Sequence, residues 1–359
     1  MLNSKNRFLT LVLLSLLIAS GCGQNESGTE PGAGKQADSG LEDKVVVYSP
    51  HGKEILGEFK ELFEKEHPGT TVEFLYLSSQ QCLERVRNEK VNPLADVWWG
   101  ASHTTFMTAA EEGLLEPYAP TWANRVGQEQ HDAEDRWYAT FLSPEIIFYN
   151  ADTVSADEAP TDWMDLADPK YKDRLILRFP IPSDTMRTIF FGIIDRSLKG
   201  TGDVEKAFEW MKGVDANTKE YLNGGEQVFR KMAQRVGDIS MWTLSDIMLQ
   251  KSKYDYPFEI VYPQSGSPVI LDGIALVKGC QHPEAAKAYY EFVTSTTSAA
   301  RLANEPYYRI PTRKDIPEKD LPDWMGDLQY TSQELDWDLY REKMNDWMQR
   351  WDTEIKGQG

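Results

Sequence analysis

Apolar runs of strand length alternate with segments of helical period from Val45 onward, and that alternation restricts the chain to an α/β fold. Val45-Val46-Val47-Tyr48 is a buried-strand run closed by Ser49-Pro50-His51-Gly52, and Ile55, Leu56, Phe59, Leu62 and Phe63 then recur at helical spacing up to His67-Pro68-Gly69. A second strand at 71–77 ends at Ser78-Ser79 and leads into a helix with Cys82, Leu83 and Val86. A third at 95–98 ends at Trp99-Gly100-Ala101-Ser102 and leads into a helix that stops at Gly113. This interval predicts parallel pairing with right-handed crossovers. Ligands of such sheets gather beyond the carboxyl ends of the strands, where all three loops fall.

The pattern continues with an extended apolar stretch at 137–149, interrupted by Ser143-Pro144 and read as a crossover because proline suits an edge better than a central strand. A strand at 174–179 precedes Pro182-Ser183-Asp184-Thr185, which opens a helix through Ile189, Phe190 and Ile193, with Ser183 as its N-cap. A strand at 237–241 ends in Trp242-Thr243-Leu244-Ser245-Asp246. Residues 269–277, broken by Asp272-Gly273, form a second crossover, and His282-Pro283-Glu284 starts a helix through Ala286, Tyr289, Tyr290 and Phe292. The sequence thus predicts two α/β lobes joined by two passes. Residues 44–143 with 273–316 form lobe 1, residues 144–272 form lobe 2, and residues 317–359 form a Trp-rich helical extension.

The first 21 residues differ in kind. A basic start (Lys5, Arg7), an apolar run at 8–19 and small residues just before Cys22 read as a secretory signal, too short for a permanent membrane span. Leu16-Leu17-Ile18-Ala19-Ser20-Gly21-Cys22 resembles a bacterial lipobox, so acylation of Cys22 and attachment to a membrane are expected. The stretch 23–42 has no aromatic residue and reads as a flexible tether. The remaining cysteines, Cys82 and Cys280, would both be exported, and the sequence leaves open whether they pair. With 57 acidic against 38 basic residues the chain is a poor partner for nucleic acid.

Several segments together resemble the extracellular solute-binding proteins of ABC importers, in the branch that contains ferric-iron, sugar-phosphate and aminoethylphosphonate binders. The carriers are VVVYSPHGKEI, ADVWWGAS followed by EEGLLEPY, FLSPEIIFYN, TDWMDLADPKYKDRL, PSDTMRTIF, DGIALVKGCQHPEAAKAYYEFV and Arg309-Ile310-Pro311-Thr312-Arg313. The resemblance spans residues 44–315. It implies a type II periplasmic-binding-protein-like fold of mixed, mostly parallel sheets, whose lobes close on a small solute before docking on a membrane permease. It also implies an exported monomer with no cofactor or resident metal, at the outer face of the cell membrane or in the periplasm.

Candidate ligand-binding residues follow from the strand-end loops. Ser49 and His51 end the first strand, and Ser78 and Ser79 sit at a helix start suited to an anion. One of Trp98 and Trp99 must face the core, leaving Trp99 to stack on a ligand. Ser183, Asp184 and Thr185 form an anion seat with Arg187 as countercharge, although the Asp184 carboxylate would repel an anion and suits a sugar hydroxyl better. Trp242, Thr243, Ser245 and Asp246 stand where ferric binders of the family resemble one another in carrying a tyrosine pair, which this chain lacks. Asp272 ends the set. The expected ligand is a phosphorylated or phosphonate-bearing organic anion. Ferric iron and a cationic amine are the alternatives within the class, and an exported carbohydrate-active enzyme using Asp184 with Asp246 is the rival class. No nucleophile-elbow, metal-helix or phosphate-loop motif supports that rival.

Overall fold

The computed structural model describes residues 40–358. β1 (Lys44–Ser49), α1 (Lys53–Glu66), β2 (Thr71–Tyr76), α2 (Ser79–Asn88), β3 (Val97–Ser102) and α3 (His103–Glu111) follow one another as the alternation predicts. β1 lies between β2 and β3 and is parallel to both, with Ser49 level with Tyr76. Two-residue β4 (Leu115–Glu116) precedes the 13-residue β5 (Tyr138–Asn150), the first crossover.

A second run of elements comprises β6 (Leu175–Arg178), α4 (Asp184–Thr201), α5 (Glu205–Asn217), β7 (Thr218–Leu222), α6 (Gly225–Ala233), β8 (Ile239–Thr243), α7 (Leu244–Tyr254) and β9 (Phe258–Val261). β10 (Val269–Val277) then returns, followed by α8 (Pro283–Val293), α9 (Thr296–Ala303), β11 (Ile310–Pro311) and α10 (Trp337–Glu354). The strand order β2-β1-β3-β10-β5-β8-β6-β7 places the two crossover strands at the centre. They pair antiparallel with each other from Val269↔Pro144 to Ile274↔Tyr138. β5 belongs to both halves: its first part pairs with β10 and its part from Glu145 onward pairs with β8.

Helices cover both faces of the first half. Trp99 packs on one side with Phe59, Phe63 and Tyr289, while Trp98 packs on the other with Cys82, Leu83 and Phe106. In the second half, Phe190, Phe191, Met211 and Trp351 fill one side of the sheet, and Phe148, Phe229 and Trp242 fill the other. Local signals fix the helix starts. Ser78 and Gln81 form a reciprocal capping box on α2, Ser183 caps α4 by accepting from the Met186 N–H, and Pro283 opens α8.

The C-terminal extension departs from expectation in one respect. Residues 317–336 are short 3₁₀ turns and irregular chain, and the helix begins only at Trp337. The turns run from the neighbourhood of α9, where the Trp324 indole donates to the Ala303 carbonyl at 3.0 Å, to Ser267, whose carbonyl accepts from the Gln333 N–H at 2.9 Å. Prolines at 317 and 322 suit this stretch to turns rather than helix. α10 then buries Tyr340, Met344, Met348 and Trp351 at helical spacing against the core of the second half.

Cys82 and Cys280 are both unpaired, the former buried on α2 and the latter just after β10. Among the described residues, no helix is long and apolar enough to cross a membrane. The segment carrying Cys22 lies outside the described residues.

Candidate functional site

The carboxyl ends of strands from both halves converge. β1 delivers His51, β3 delivers Ala101 and Ser102, β6 ends on Arg178, and β8 runs into Thr243 and Asp246. The crossover strands supply Ser143 and Asp272. Together with Ser79, Asp184, Thr185, Trp242 and Arg309, these residues line a polar cavity of about 80 Å³. A second recess of about 70 Å³ shares Arg178, Trp242, Asp246 and Arg309 and is closed by Tyr76, Phe229 and Leu249. A larger groove of about 840 Å³ runs over α1, α8 and α9, but no strand end reaches it.

Backbone geometry aims several of these groups. Gly100 and Ala101 have φ of 95° and 85°, a left-handed turn that redirects the chain between β3 and α3. A side chain at Gly100 would collide with the His51 imidazole, 2.8 Å from the position of its Cβ. The register of β10 shifts at Asp272, and such a bulge re-aims a side chain, here toward the Ser143 hydroxyl and the cavity.

Two guanidinium groups dominate the electrostatics. Arg309 donates to Asp246 Oδ1 at 2.7 Å, while its Nε is buried without a partner. Arg178 lies over the Trp242 ring at 5.4 Å, and among the described residues it forms no ion pair and its buried Nε has no hydrogen-bond partner. Burial draws the Arg178 pKa below its usual value, opposed by Tyr76, Asp246 and Asp184, yet a guanidinium remains a cation.

The acidic and imidazole groups divide by environment. Burial pushes Asp246 up, but Arg309 and the Trp242 indole outweigh it and hold the carboxyl below its ordinary value. Burial raises Asp272 to about 6. Glu145, buried beneath Thr243, is raised well above the usual carboxyl range by burial and by its neighbours Asp272 and Asp246. Burial, then Arg309, lowers His51 to about 3, so its ring is neutral at physiological pH.

Of the residues expected at the site, His51, Ser79, Asp184, Thr185, Trp242, Thr243, Asp246 and Asp272 line the cavity. Six others lie elsewhere. The Ser49 hydroxyl accepts from the His51 N–H and serves the turn, and Ser78 is spent on the α2 cap. Trp99 is fully buried against His51 and Phe59, because helices cover its face of the sheet as well as that of Trp98. Ser183 is enclosed as the α4 cap, and Ser245 is wholly buried at the start of α7. Arg187 points away from the cavity and donates to Tyr340 and Asn345 on α10, so it supplies no countercharge there.

A family model for bacterial extracellular solute-binding proteins matches residues 92–331. The chain belongs to that family. This solute-binding protein is 24% identical over 322 residues to the probable ABC transporter periplasmic-binding protein y4fP of Sinorhizobium fredii, covering 88% of this chain and 87% of that one. Its fold is similar to that of the periplasmic binding protein P5PA, with a TM-score of 0.76 and 22% identity over 88% of this chain and all of the other. It is also similar to AfuA of Actinobacillus pleuropneumoniae, described with exogenous fructose-6-phosphate bound, with a TM-score of 0.74 and 22% identity over 88% of this chain and 99% of that one. At these identities the likeness establishes the two-lobed fold.

Sequence reasoning missed the cationic groups that line the cavity of the solute-binding protein, Arg178 and Arg309. Arg178 is the last residue of β6, and a strand pattern alone does not reveal that its side chain enters a cleft. Arg309 stands in a recognised motif, but its partner Asp246 is 63 positions away. The sequence places Ser102 in the loop after the third strand and Ser143 at the crossover break, but singles out neither of them, nor Tyr76 or Glu145, as a site residue. The usable signal was position: each of Ser102, Tyr76 and Arg178 ends a strand.

Proposed function

We propose that this chain is the solute receptor of an ABC importer and that its ligand is a small phosphorylated or phosphonate-bearing organic anion held by Arg178. The observation that carries the reading is a half-buried guanidinium at the meeting point of strand ends, with no ion pair among the described residues and a buried Nε that has no partner. A desolvated cation costs free energy unless an anion joins it, and a phosphoryl or phosphonyl group matches the guanidinium fork. Arg309 adds a second positive group, and Thr185, Thr243 and Ser143 add hydroxyls. A bare ferric ion would find no carboxylate without a partner among the described residues of this wall, because Asp246 pairs with Arg309, Asp184 accepts from Ser102, Thr105 and Gln80, and Asp272 accepts from Ser143, so the arrangement favours the organic anion.

In this reading residues 44–143 with 273–316 form one lobe and 144–272 the other, and the solute is gripped only when the two approach. That differential contact shifts the population toward the closed state, which the permease recognises. The solute leaves unchanged, and the chain is a receptor rather than an enzyme. Acylated Cys22 and the tether would hold the body at the outer face of the cell membrane or in the periplasm. The sugar phosphate described in AfuA supports the ligand class by analogy of fold.

The test is native mass spectrometry of freshly purified protein, followed by calorimetry with a panel of sugar phosphates, phosphonates, ferric citrate and polyamines. Saturable binding of phosphorylated or phosphonate compounds that is lost in Arg178→Gln supports the reading. Binding confined to iron or amines overturns it.

A further inference from the structure

Asp184 is the first residue of α4, in the half of the fold built around β6 and β8, yet every hydrogen bond its carboxylate accepts comes from the other half. Oδ2 accepts from the Ser102 N–H at 3.1 Å, from the Ser102 hydroxyl at 2.8 Å and from the Thr105 hydroxyl at 2.9 Å. Oδ1 accepts from the Gln80 amide at 2.9 Å. Ser102 is also the N-cap of α3, so the carboxylate rests at the start of that nine-residue helix, where backbone donors and the helix dipole favour negative charge. The side chain is 5% exposed. Its four donors fill the coordination that an oxyanion of a bound solute would otherwise need.

We propose that Asp184 is an interlobe latch, a self-supplied anion that takes the place of a solute oxyanion at the start of α3 and biases the two lobes toward each other, adding to the solute's own effect on closure. The α3 seat is therefore closed to the solute's own anionic group, which is left to Arg178. The latch rests on the receptor reading only in that it requires two lobes that move, and it operates with no solute present. It also answers the difficulty that an acid at this helix start poses for anion binding: its charge is spent across the interface rather than on the ligand.

The test is chemical rescue without solute. In the full chain, Asp184→Ala should speed hydrogen–deuterium exchange at the amides of 102–105 by roughly tenfold or more, as expected for loss of charged hydrogen bonds, and should raise the radius of gyration in solution scattering. Sodium formate, which supplies the missing carboxylate, should reverse both changes where sodium chloride at equal ionic strength does not. It should fail to do so in Asp184→Ala/Ser102→Ala. Unchanged exchange and radius in Asp184→Ala, or no difference between formate and chloride, overturns the latch. If Asp184→Ala does not fold by circular dichroism, Asp184→Asn and Ser102→Ala are measured in its place, and a native radius in both overturns it. Arg178→Gln should keep the native radius and exchange, so loss of phosphate-ester binding there speaks to the ligand reading and not to the latch.

Discussion

The guanidinium of Arg178 sits 5.4 Å from the centre of the Trp242 ring, so a cation at the end of β6 is held by an indole face rather than by a carboxylate. Trp242 in turn donates its Nε1–H to Asp246 at 3.0 Å, which fixes the ring. A cation over an aromatic face keeps its hydrogen-bonding capacity for another partner. Arg178→Gln should weaken binding of an organic phosphate by about 1.5 to 3 kcal/mol, the usual worth of a charged hydrogen bond. Calorimetry on the variant checks this, and an affinity equal to that of the native chain would remove Arg178 from the site.

The Asp246–Arg309 pair gives a stability prediction. The Arg309 side chain is 7% exposed and that of Asp246 is 35% exposed. Asp246→Ala strands a nearly buried charge and should cost about 1 to 3 kcal/mol, less than a fully buried pair because solvent reaches one partner. Replacing both residues by Asp246→Leu with Arg309→Met should recover most of the loss. Urea denaturation of the two single variants and the double variant measures the coupling, and additive losses would show that the pair does not act as one.

Asp272 sets a pH dependence. Its carboxyl is raised by burial from 3.8 to about 6, with Ser143 and Arg309 opposing and Asp246 and Asp184 adding to the rise. The folded chain thus holds this proton more tightly than the unfolded chain. The resulting stability is complete below the unfolded value and is lost as pH climbs through about 6. Asp272→Asn keeps an oxygen for the Ser143 hydroxyl and has no charge to bury, so it should exceed the native chain by about 1 to 3 kcal/mol at pH 7 and match it near pH 4. Denaturation at the two pH values decides, and an equal gap at both would contradict the assignment.

Trp351 anchors α10. It is fully buried and meets Phe190, Phe179 and Tyr221 edge-on at 5.4 to 6.0 Å. Trp351→Ala should cost about 3 to 5 kcal/mol, the range for deleting a large core aromatic. A shift of the denaturation midpoint near zero would show that the helix is dispensable to the core.

Anchoring at Cys22 predicts a change of compartment. If acyl chains on Cys22 supply the attachment, as proposed, Cys22→Ala should move the protein from the membrane to the soluble fraction of expressing cells. Continued membrane fractionation would argue for a different tether.

The elements of the fold were legible because their signals are local. Val45 to Tyr48, the Ser78 cap and Asp272-Gly273 each announce a strand, a helix start or a break within a few residues, and the structure places β1, α2 and the β10 bulge there. The site was half legible for the same reason. His51, Thr185, Thr243 and Asp246 follow strand ends that sequence reveals, whereas the inward aim of Arg178 depends on β7 and β8 flanking β6. Trp99 misled because alternation along a strand says which residues share a face but not whether that face is covered, and here both faces are. Arg187 misled because the helix that claims it, α10, begins 150 residues later.

The pairing of β5 with β10 along the interface has a mechanical outcome. Two separate linkers would let the halves slide, tilt or swivel independently, whereas strands hydrogen-bonded from Val269↔Pro144 to Ile274↔Tyr138 must deform as one ribbon. A paired ribbon flexes across its strands far more readily than it shears along them, so the halves would share essentially a single hinge coordinate. Different guests would then differ in where along that coordinate they arrest the protein, and not in the path by which it travels.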